Sequence, residues 1–244
     1  MLTVLVVLCF WKGDSRMCRM FGLSTVFVIL FATILPAQPP GRPGTGSAQP
    51  FPVKTLPKDD VEKQILEVIA EVGRDQRAGN MIVPEEDGRL LRAWTEAVGA
   101  KHVVEIGTSV GYSGLWFSLV LKKTGGKLTT FEIDETRAAQ AKKNFEKAGV
   151  ADIVTIVLGD AHETVKQINE PIDVLFLDAD KPGYIDYFEK LSGLVRPGGV
   201  VIAHNMIPRM ADPRFVKAIT TNPDYETVFL HMEGSGVSVS VKKH

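Results

Sequence analysis

The chain has 244 residues, of which 45% are hydrophobic, and a formal net charge of −1 at pH 7. This length allows one sizeable folded core, and the balanced charge argues against a polyanionic partner such as nucleic acid. Both cysteines, Cys9 and Cys18, lie near the start of the chain, which excludes a disulfide or a cysteine metal cluster from the remainder.

The N-terminal part has the composition of a targeting segment. Residues 21–37 form an uncharged apolar run that follows several basic residues. The run is short for a membrane-spanning helix, which needs about 20 residues. We therefore predict a signal peptide or an N-terminal membrane anchor over residues 1–38, so that the chain is exported or membrane-anchored. The basic residues favour a domain outside the cytosol.

A linker and one folded domain are predicted to follow. Residues 39–57 are rich in Pro, Gly and Ser, which is typical of a flexible linker and argues against a buried N-terminal helix. Residues 58–244 form the predicted domain, which begins with two helices of regular apolar spacing. Five strands are then predicted at 102–106, 127–133, 152–159, 172–178 and 199–203, and helices between them at 112–123, 135–149, 162–168 and 184–194.

Two more strands, "YETVFLHM" and "GVSVSVKK", follow a helix near residues 212–220. The three residues between them, Glu233 to Ser235, are too few for a crossover, so these strands must pair antiparallel. Continuous Val, Ile and Leu runs that alternate with amphipathic helices predict a sheet covered on both faces. The predicted fold is thus a doubly wound α/β domain with seven strands, mostly parallel, and one antiparallel edge strand.

Polar residues follow nearly every predicted strand, at the edge where such sheets bind ligands. The first strand leads into "EIGTSVGYSG", whose glycines permit a tight turn but do not match the GxGxxG spacing of a dinucleotide site. Glu105 in this stretch suits a cationic amino group. Glu132 ends the next strand, where an acid accepts ribose hydroxyls. Two acids and a glycine turn fit a nucleoside that carries an amino acid, namely S-adenosylmethionine (SAM).

Six motifs between about residue 80 and residue 210 carry a family resemblance: "EIGTSVGYS", "FEID", "KAGV", "GDA", "LDADKPGY" and "RPGGVVIAHN". In order and spacing they resemble the cation-dependent O-methyltransferases, the family of catechol and caffeoyl-CoA O-methyltransferases. The resemblance implies a Rossmann-like SAM methyltransferase fold, and methyl transfer from SAM to a hydroxyl of a small phenolic or catechol-like acceptor. Family members are commonly dimers, so a homodimer is a further expectation.

The resemblance also assigns roles to residues of the cofactor pocket. It implies that the methionine part and the turn are held by Glu105, Gly107, Thr108 and Ser113. It further implies that Glu132 holds the ribose, Ala161 lies against the adenine, Val83 closes over the cofactor and Asp180 lines the pocket. Simple packing is the alternative role for Val83 and Ala161, and a solvated loop acid is the alternative for Asp180.

A divalent cation and a general base are implied as well. The resemblance places the cation on Asp178, His204 and Asn205, and makes Lys181 the general base. His204 stands where the family pattern has Asp, and imidazole suits softer metals than Mg²⁺. Three outcomes stay open: a softer divalent metal, weakly held Mg²⁺, or no metal with His204 as a catalytic base.

Two other functions compete with methyl transfer. A SAM-binding protein with an impaired metal site would keep the fold without metal-dependent activity. A nucleotide-dependent oxidoreductase would share the sheet, but the missing GxGxxG spacing argues against it. SAM is made in the cytosol, whereas the basic residues favour a domain outside it. The orientation of an anchored domain therefore stays open.

Overall fold

The computed structural model describes residues 53–231 and 236–244. Within these ranges the α-helices are α1 Asp60–Asp75, α2 Glu85–Ala97, α3 Tyr112–Thr124, α4 Glu135–Lys147, α5 Ala161–Thr164, α6 Tyr184–Leu191 and α7 Pro213–Thr221. The strands are β1 His102–Ile106, β2 Lys127–Glu132, β3 Val154–Leu158, β4 Ile172–Leu177, β5 Val195–His204, β6 Tyr225–Leu230 and β7 Val237–Lys242. The predicted alternation of strands and helices is therefore present.

Two elements, β5 and α5, differ most from the sequence prediction. β5 begins at Val195, four residues before the predicted start at 199, and its register against β4 shifts between Ile172 and Val174. The early part of β5 contains "RPGG", whose proline and glycines hide the strand pattern. The helix predicted at 162–168 is instead the short α5 followed by a 3₁₀ turn over Val165–Gln167.

The strands form one sheet in the order β3-β2-β1-β4-β5-β7-β6. β1 to β5 pair in parallel, whereas β7 pairs antiparallel with both β5 and β6. The prediction of a mostly parallel seven-stranded sheet with one reversed strand is confirmed. The reversed strand is β7, which pairs with β5 on one side and with β6 on the other. The edge strand is therefore β6 and not the reversed strand.

Helices cover both faces of the sheet, and the two faces have separate cores. Ile65 of α1, Leu91 of α2 and Trp116 of α3 belong to the core of one face. Phe188 of α6 and Phe215 of α7 belong to the core of the other. Because both faces are covered, the central strands are buried along their length and only the strand ends are open to a ligand.

The predicted targeting segment, residues 1–38, lies outside the described residues, as do most of the predicted linker and the turn from Glu233 to Ser235. Among the helices that the structure describes, none combines the length and the apolar character needed to span a membrane. The signal peptide or anchor, the export of the chain and the domain boundaries remain predictions from the sequence.

Candidate active site

The turn after β1 brings the ends of β1 and β4 together. Gly107 has a φ of 107°, and a Cβ built on it would lie 2.4 Å from the carbonyl oxygen of Asp178. The Asp178 amide donates to the carbonyl of Ile106 at 2.9 Å. Only glycine allows this close approach. The predicted cofactor turn and the predicted acceptor site are therefore neighbours.

Glu105 lies beneath this turn with its side chain fully buried. Its carboxylate accepts hydrogen bonds from the hydroxyls of Ser113 and, at 2.7 Å, Thr130. Thr108 contacts the same Thr130 hydroxyl at 2.6 Å. Burial raises the pKa of Glu105 to about 7, although the hydrogen bonds from Ser113 and Thr130 act to lower it. The negative charges of the nearby acids add to the rise.

Glu132, at the end of β2, is held by backbone amides. Its Oε2 accepts from the amide of Ser109 at 2.6 Å, and its Oε1 accepts from the amides of Ile133 and Asp134 at 3.0 Å. Ser109 has a positive φ of 48°, a conformation that is uncommon outside glycine. In the part of the chain that the structure describes, no basic side chain pairs with Glu105 or Glu132, so two buried acids face this edge without a cationic partner.

Lys181 follows β4 and makes three contacts through Nζ. It donates to Asp178 Oδ1 at 3.1 Å, to the Ala179 carbonyl at 2.8 Å and to the Tyr184 hydroxyl at 3.0 Å. Tyr184 is buried, and its hydroxyl donates to the His204 carbonyl at 3.3 Å. The ends of β4 and β5 are thus joined by one hydrogen-bonded chain.

His204, the last residue of β5, lies between two carboxylates. Its Nε2 is 2.7 Å from Asp87 Oδ2, and its Nδ1 is 3.2 Å from Asp178 Oδ1. Burial alone would lower the pKa of His204, but the hydrogen bonds and charges of Asp178 and Asp87 raise it to about 9. The two carboxylates therefore favour the protonated form of the imidazole.

The divalent cation stays a prediction, and two of the side chains predicted to hold it, Asp178 and His204, contact each other in this structure. A histidine ligand must offer a nitrogen lone pair, whereas both ring nitrogens of His204 face carboxylates. Asp178 Oδ1 also accepts a hydrogen bond from Lys181 Nζ. Among residues 53–231 and 236–244, no group of three or more His, Cys, Asp or Glu is arranged to hold a metal ion.

The remaining predicted site residues take no part in the hydrogen bonds described above. Val83 is buried within a hydrophobic core, and Ala161 is partly buried at the start of α5. Asp180 is exposed and accepts from the Tyr187 hydroxyl at 2.7 Å. Asn205 directly follows β5 with a φ of 60°. The structure shows where these four residues lie, and their roles toward a cofactor or a cation stay predictions.

Sequence reasoning missed Asp87 and Thr130. Asp87 shares the buried face of α2 with Leu91 and Thr95, at a spacing of four residues. An acid in that apolar stripe is the signal that could have revealed it, because a buried carboxylate needs a partner. Thr130 lies within β2 and carries no comparable signal, because threonine is common in strands.

The fold and this edge define an α/β protein that binds its ligand beyond the carboxyl ends of parallel strands. A family model described as O-methyltransferase matches residues 57–210, which is more than half of the chain. The chain belongs to the O-methyltransferase family.

Individual relatives are consistent with this membership. A catechol O-methyltransferase of Niastella koreensis is 39% identical over 129 residues, which cover 51% of this chain and 58% of the relative. A catechol O-methyltransferase of Mycobacterium tuberculosis is 34% identical over 128 residues, which cover 51% of this chain and 57% of the relative. The chain thus spans little more than half the length of these curated relatives.

A solved structure covers more of the chain. The crystal structure of an O-methyltransferase from Bacillus cereus in complex with SAH has a TM-score of 0.63 and 31% identity. The match covers 77% of this chain and 93% of that one. The sheet with its flanking helices is therefore the fold of this family.

Proposed function

We propose that the chain transfers the methyl group of SAM to a hydroxyl of a small phenolic or catechol-like acceptor. The observation that carries the proposal is the pair of buried acids, Glu105 and Glu132, which have no basic partner among the described residues and lie at the same edge of the sheet as Lys181. The family membership and the catechol O-methyltransferases among the relatives support the same reaction.

The positive charges of SAM complement the acidic side of the site, which Glu105 and Glu132 form. It carries an ammonium and a sulfonium, which favour ionised carboxylates nearby, and two ribose hydroxyls that a carboxylate can accept. In the proposal Glu105 acts with Ser113 on the amino-acid part, and Glu132 binds the ribose. When bound, SAM supplies an electrophilic methyl group on sulfur.

The acceptor hydroxyl would meet Lys181. A phenol has a pKa of about 10 and must lose its proton to become a strong nucleophile. In the proposal the Lys181 amine takes this proton at Nζ, and the Asp178 carboxylate stabilises the ammonium that results, at 3.1 Å. Tyr184, hydrogen-bonded to Nζ at 3.0 Å, fixes the direction of the amine.

The test is the Lys181→Met variant of the full-length protein, assayed with methyl-labelled SAM and catechol. We expect kcat to fall by roughly 10²- to 10⁴-fold, the usual contribution of a general base, with the Kd for SAM unchanged. Lys166→Met is the matched control, because Lys166 is an exposed lysine whose ionic partner among the described residues is Glu163.

Three results would decide the proposal. Unchanged kcat in Lys181→Met would remove the assigned base. Wild-type protein that binds SAM but transfers no methyl group to any phenol would favour the binding-only alternative. Wild-type protein that does not bind SAM would contradict the proposal altogether.

A further inference from the structure

The further inference concerns Asn144 of α4, which lies outside the sequence motifs and is buried, with 4% of the residue exposed. Its Nδ2 group donates to Gln76 Oε1 at 2.9 Å and to the Val110 carbonyl at 2.8 Å. Its Oδ1 atom accepts from Gln76 Nε2 at 3.0 Å and from Gln140 Nε2 at 3.2 Å. A side-chain amide offers two donor hydrogens and two acceptor positions, so Asn144 uses its full hydrogen-bonding capacity.

The Val110 carbonyl fixes the orientation of the Asn144 and Gln76 amides. A carbonyl oxygen only accepts hydrogen bonds, so the group that faces it must be the NH₂ of Asn144. Gln76 must then present its own NH₂ to Asn144 Oδ1 and its oxygen to Asn144 Nδ2. The two amides form a reciprocal pair, and reversing either one alone would set like groups against each other.

This amide pair joins three parts of the chain. Asn144 lies near the end of α4, and Gln76 directly follows α1, at the start of the connection between α1 and α2. This 76–84 connection leads to Val83, which is buried. Val110 belongs to the turn after β1, which is the predicted cofactor turn. The position of the turn is therefore tied to the position of the 76–84 connection.

The turn needs support from outside because its backbone is strained. Ser109 has a φ of 48°, and such conformations persist only where the surrounding structure enforces them. Glu132 accepts from the Ser109 amide at 2.6 Å, on one side of the strained residue. Asn144 donates to the carbonyl of the next residue, Val110, on the other side. The strained residue is thus held from both sides, by the end of β2 and by α4.

We propose that Asn144 is a positioning residue for SAM, because it holds the turn after β1 in its binding conformation and ties it to the 76–84 connection. It acts on SAM through Val110 and Gln76. SAM bound at the turn then also stabilises the connection, and loss of the tie speeds the release of SAM. The proposal rests on the proposed function for its ligand, whereas the tie itself is measurable without a ligand.

The first experiment measures the Kd and the dissociation rate of SAM for the full-length Asn144→Ala protein. We expect the Kd to rise about tenfold, mainly through faster dissociation, because each lost hydrogen bond corresponds to roughly a twofold to tenfold change. At saturating SAM the KM for catechol should stay within about twofold of the wild-type value. Poorer folding alone would lower the amount of active protein without this split between the two substrates. An unchanged Kd for SAM would overturn the proposal.

Gln64→Ala is the matched control. Gln64 also lies on α1, and its Nε2 donates to the Lys147 carbonyl on α4 at 2.9 Å. This hydrogen bond joins the same two helices without involving the turn or the 76–84 connection. We expect the Kd for SAM to stay within about twofold of wild type. An increase as large as that in Asn144→Ala would assign the effect to helix packing and would contradict the proposal.

The second experiment tests the path through Gln76. Gln76→Ala alone is expected to raise the Kd for SAM about threefold, and less than about twofold further when Asn144→Ala is already present. Increases that multiply in the double variant would show independent effects and would contradict the tie. Gln76 is only half-buried. If Asn144→Ala fails to fold, Gln76→Ala must still raise the Kd for the proposal to stand.

The third experiment needs no ligand and follows hydrogen exchange of the backbone amides of residues 77–83. We expect this exchange to be about tenfold faster in Asn144→Ala than in wild type and unchanged in Gln64→Ala. Equal exchange in Asn144→Ala and wild type would overturn the tie. If the wild-type protein does not bind SAM, the proposed function fails, while the exchange measurement still accepts or rejects the tie.

Discussion

Burial of the Glu105 carboxyl group makes the stability of the folded chain depend on pH. Its pKa rises from an ordinary 4.5 to about 7 in the folded state, chiefly through burial. The folded chain therefore holds this proton more tightly than the unfolded chain does. Stability contributed by the protonated form is fully present below about pH 4.5 and is lost as pH rises through 7.

Glu105→Gln removes this dependence, because the amide keeps the shape of the side chain without an ionisable group. We expect the variant to gain stability relative to wild type as pH rises from 5 to 8, by on the order of 2–3 kcal/mol at pH 8. Urea unfolding without SAM measures the difference. Glu96→Gln, an exposed change on α2, should show no such trend. A difference that is the same at both pH values would contradict the assignment.

The sequence located single residues at this edge of the sheet where a motif or a strand end marked them. Glu105, Glu132, Asp178, Lys181 and His204 were all singled out, and the structure places them at one edge of the sheet. Asp87 was not found, because the face of α2 that becomes buried depends on how the helix docks. The partner of a histidine 117 positions away cannot be derived from local spacing.

At the scale of elements, the turn between β1 and α3 depends on one glycine contact. A side chain at residue 107 would strike the carbonyl of Asp178, and its φ of 107° is unfavourable for any residue with a Cβ. A side chain at residue 107 would therefore force the turn and the end of β4 to shift together. This coupling makes the cofactor side and the acceptor side of the edge sensitive to the same substitution.

Gly107→Ala is expected to destabilise the chain by about 2–4 kcal/mol and to weaken SAM binding, since both strain and overlap are introduced. The matched control is Gly99→Ala. Gly99 also has a positive φ, 59°, but a Cβ there meets nothing within 4 Å. That control should lose only about 1 kcal/mol and keep its affinity for SAM. Equal losses of stability in the two variants would mean that the contact with Asp178 is unimportant.

The elements themselves were largely predictable, because the periodicity of the hydrophobic residues and the positions of the turn residues indicated the same helices and strands. Strands such as His102–Ile106 are short runs rich in Val and Ile, and helices such as Tyr112–Thr124 are flanked by glycines. The start of β5 was not predictable, since its "RPGG" stretch is paired in the sheet despite a composition that favours turns. The pairing with β4 and β7 overrides the local preference there.

At the scale of the whole molecule, the strand order explains why the site has two sides. β1 pairs with β2 on one side and β4 on the other, so chain order reverses at β1 and β4. Ligands bind at such switch points because the loops on either side diverge and leave a crevice. The acids proposed to bind SAM end β1 and β2, and the groups proposed to meet the acceptor follow β4 and β5. The homodimer remains a prediction from the family resemblance.

The N-terminal run of residues 21–37 leads to a prediction about targeting. Translated with microsomes, the full-length chain carrying a C-terminal tag is expected to become membrane-associated, with the tag protected from added protease until detergent is present. The control is Phe27→Arg with Leu30→Arg, which places two costly charges in the apolar run and should abolish the association. A wild-type tag that is digested without detergent would exclude a domain on the lumenal side.

The long separation between Asp87 and His204 has a consequence for synthesis. A ribosome releases about 5–20 residues per second, so the 117 residues between these partners take on the order of ten seconds to follow. During that interval α2 has been made while β5 has not. A nascent chain therefore carries Asp87 without this partner, and the contact between α2 and β5 forms only after β5 has been made.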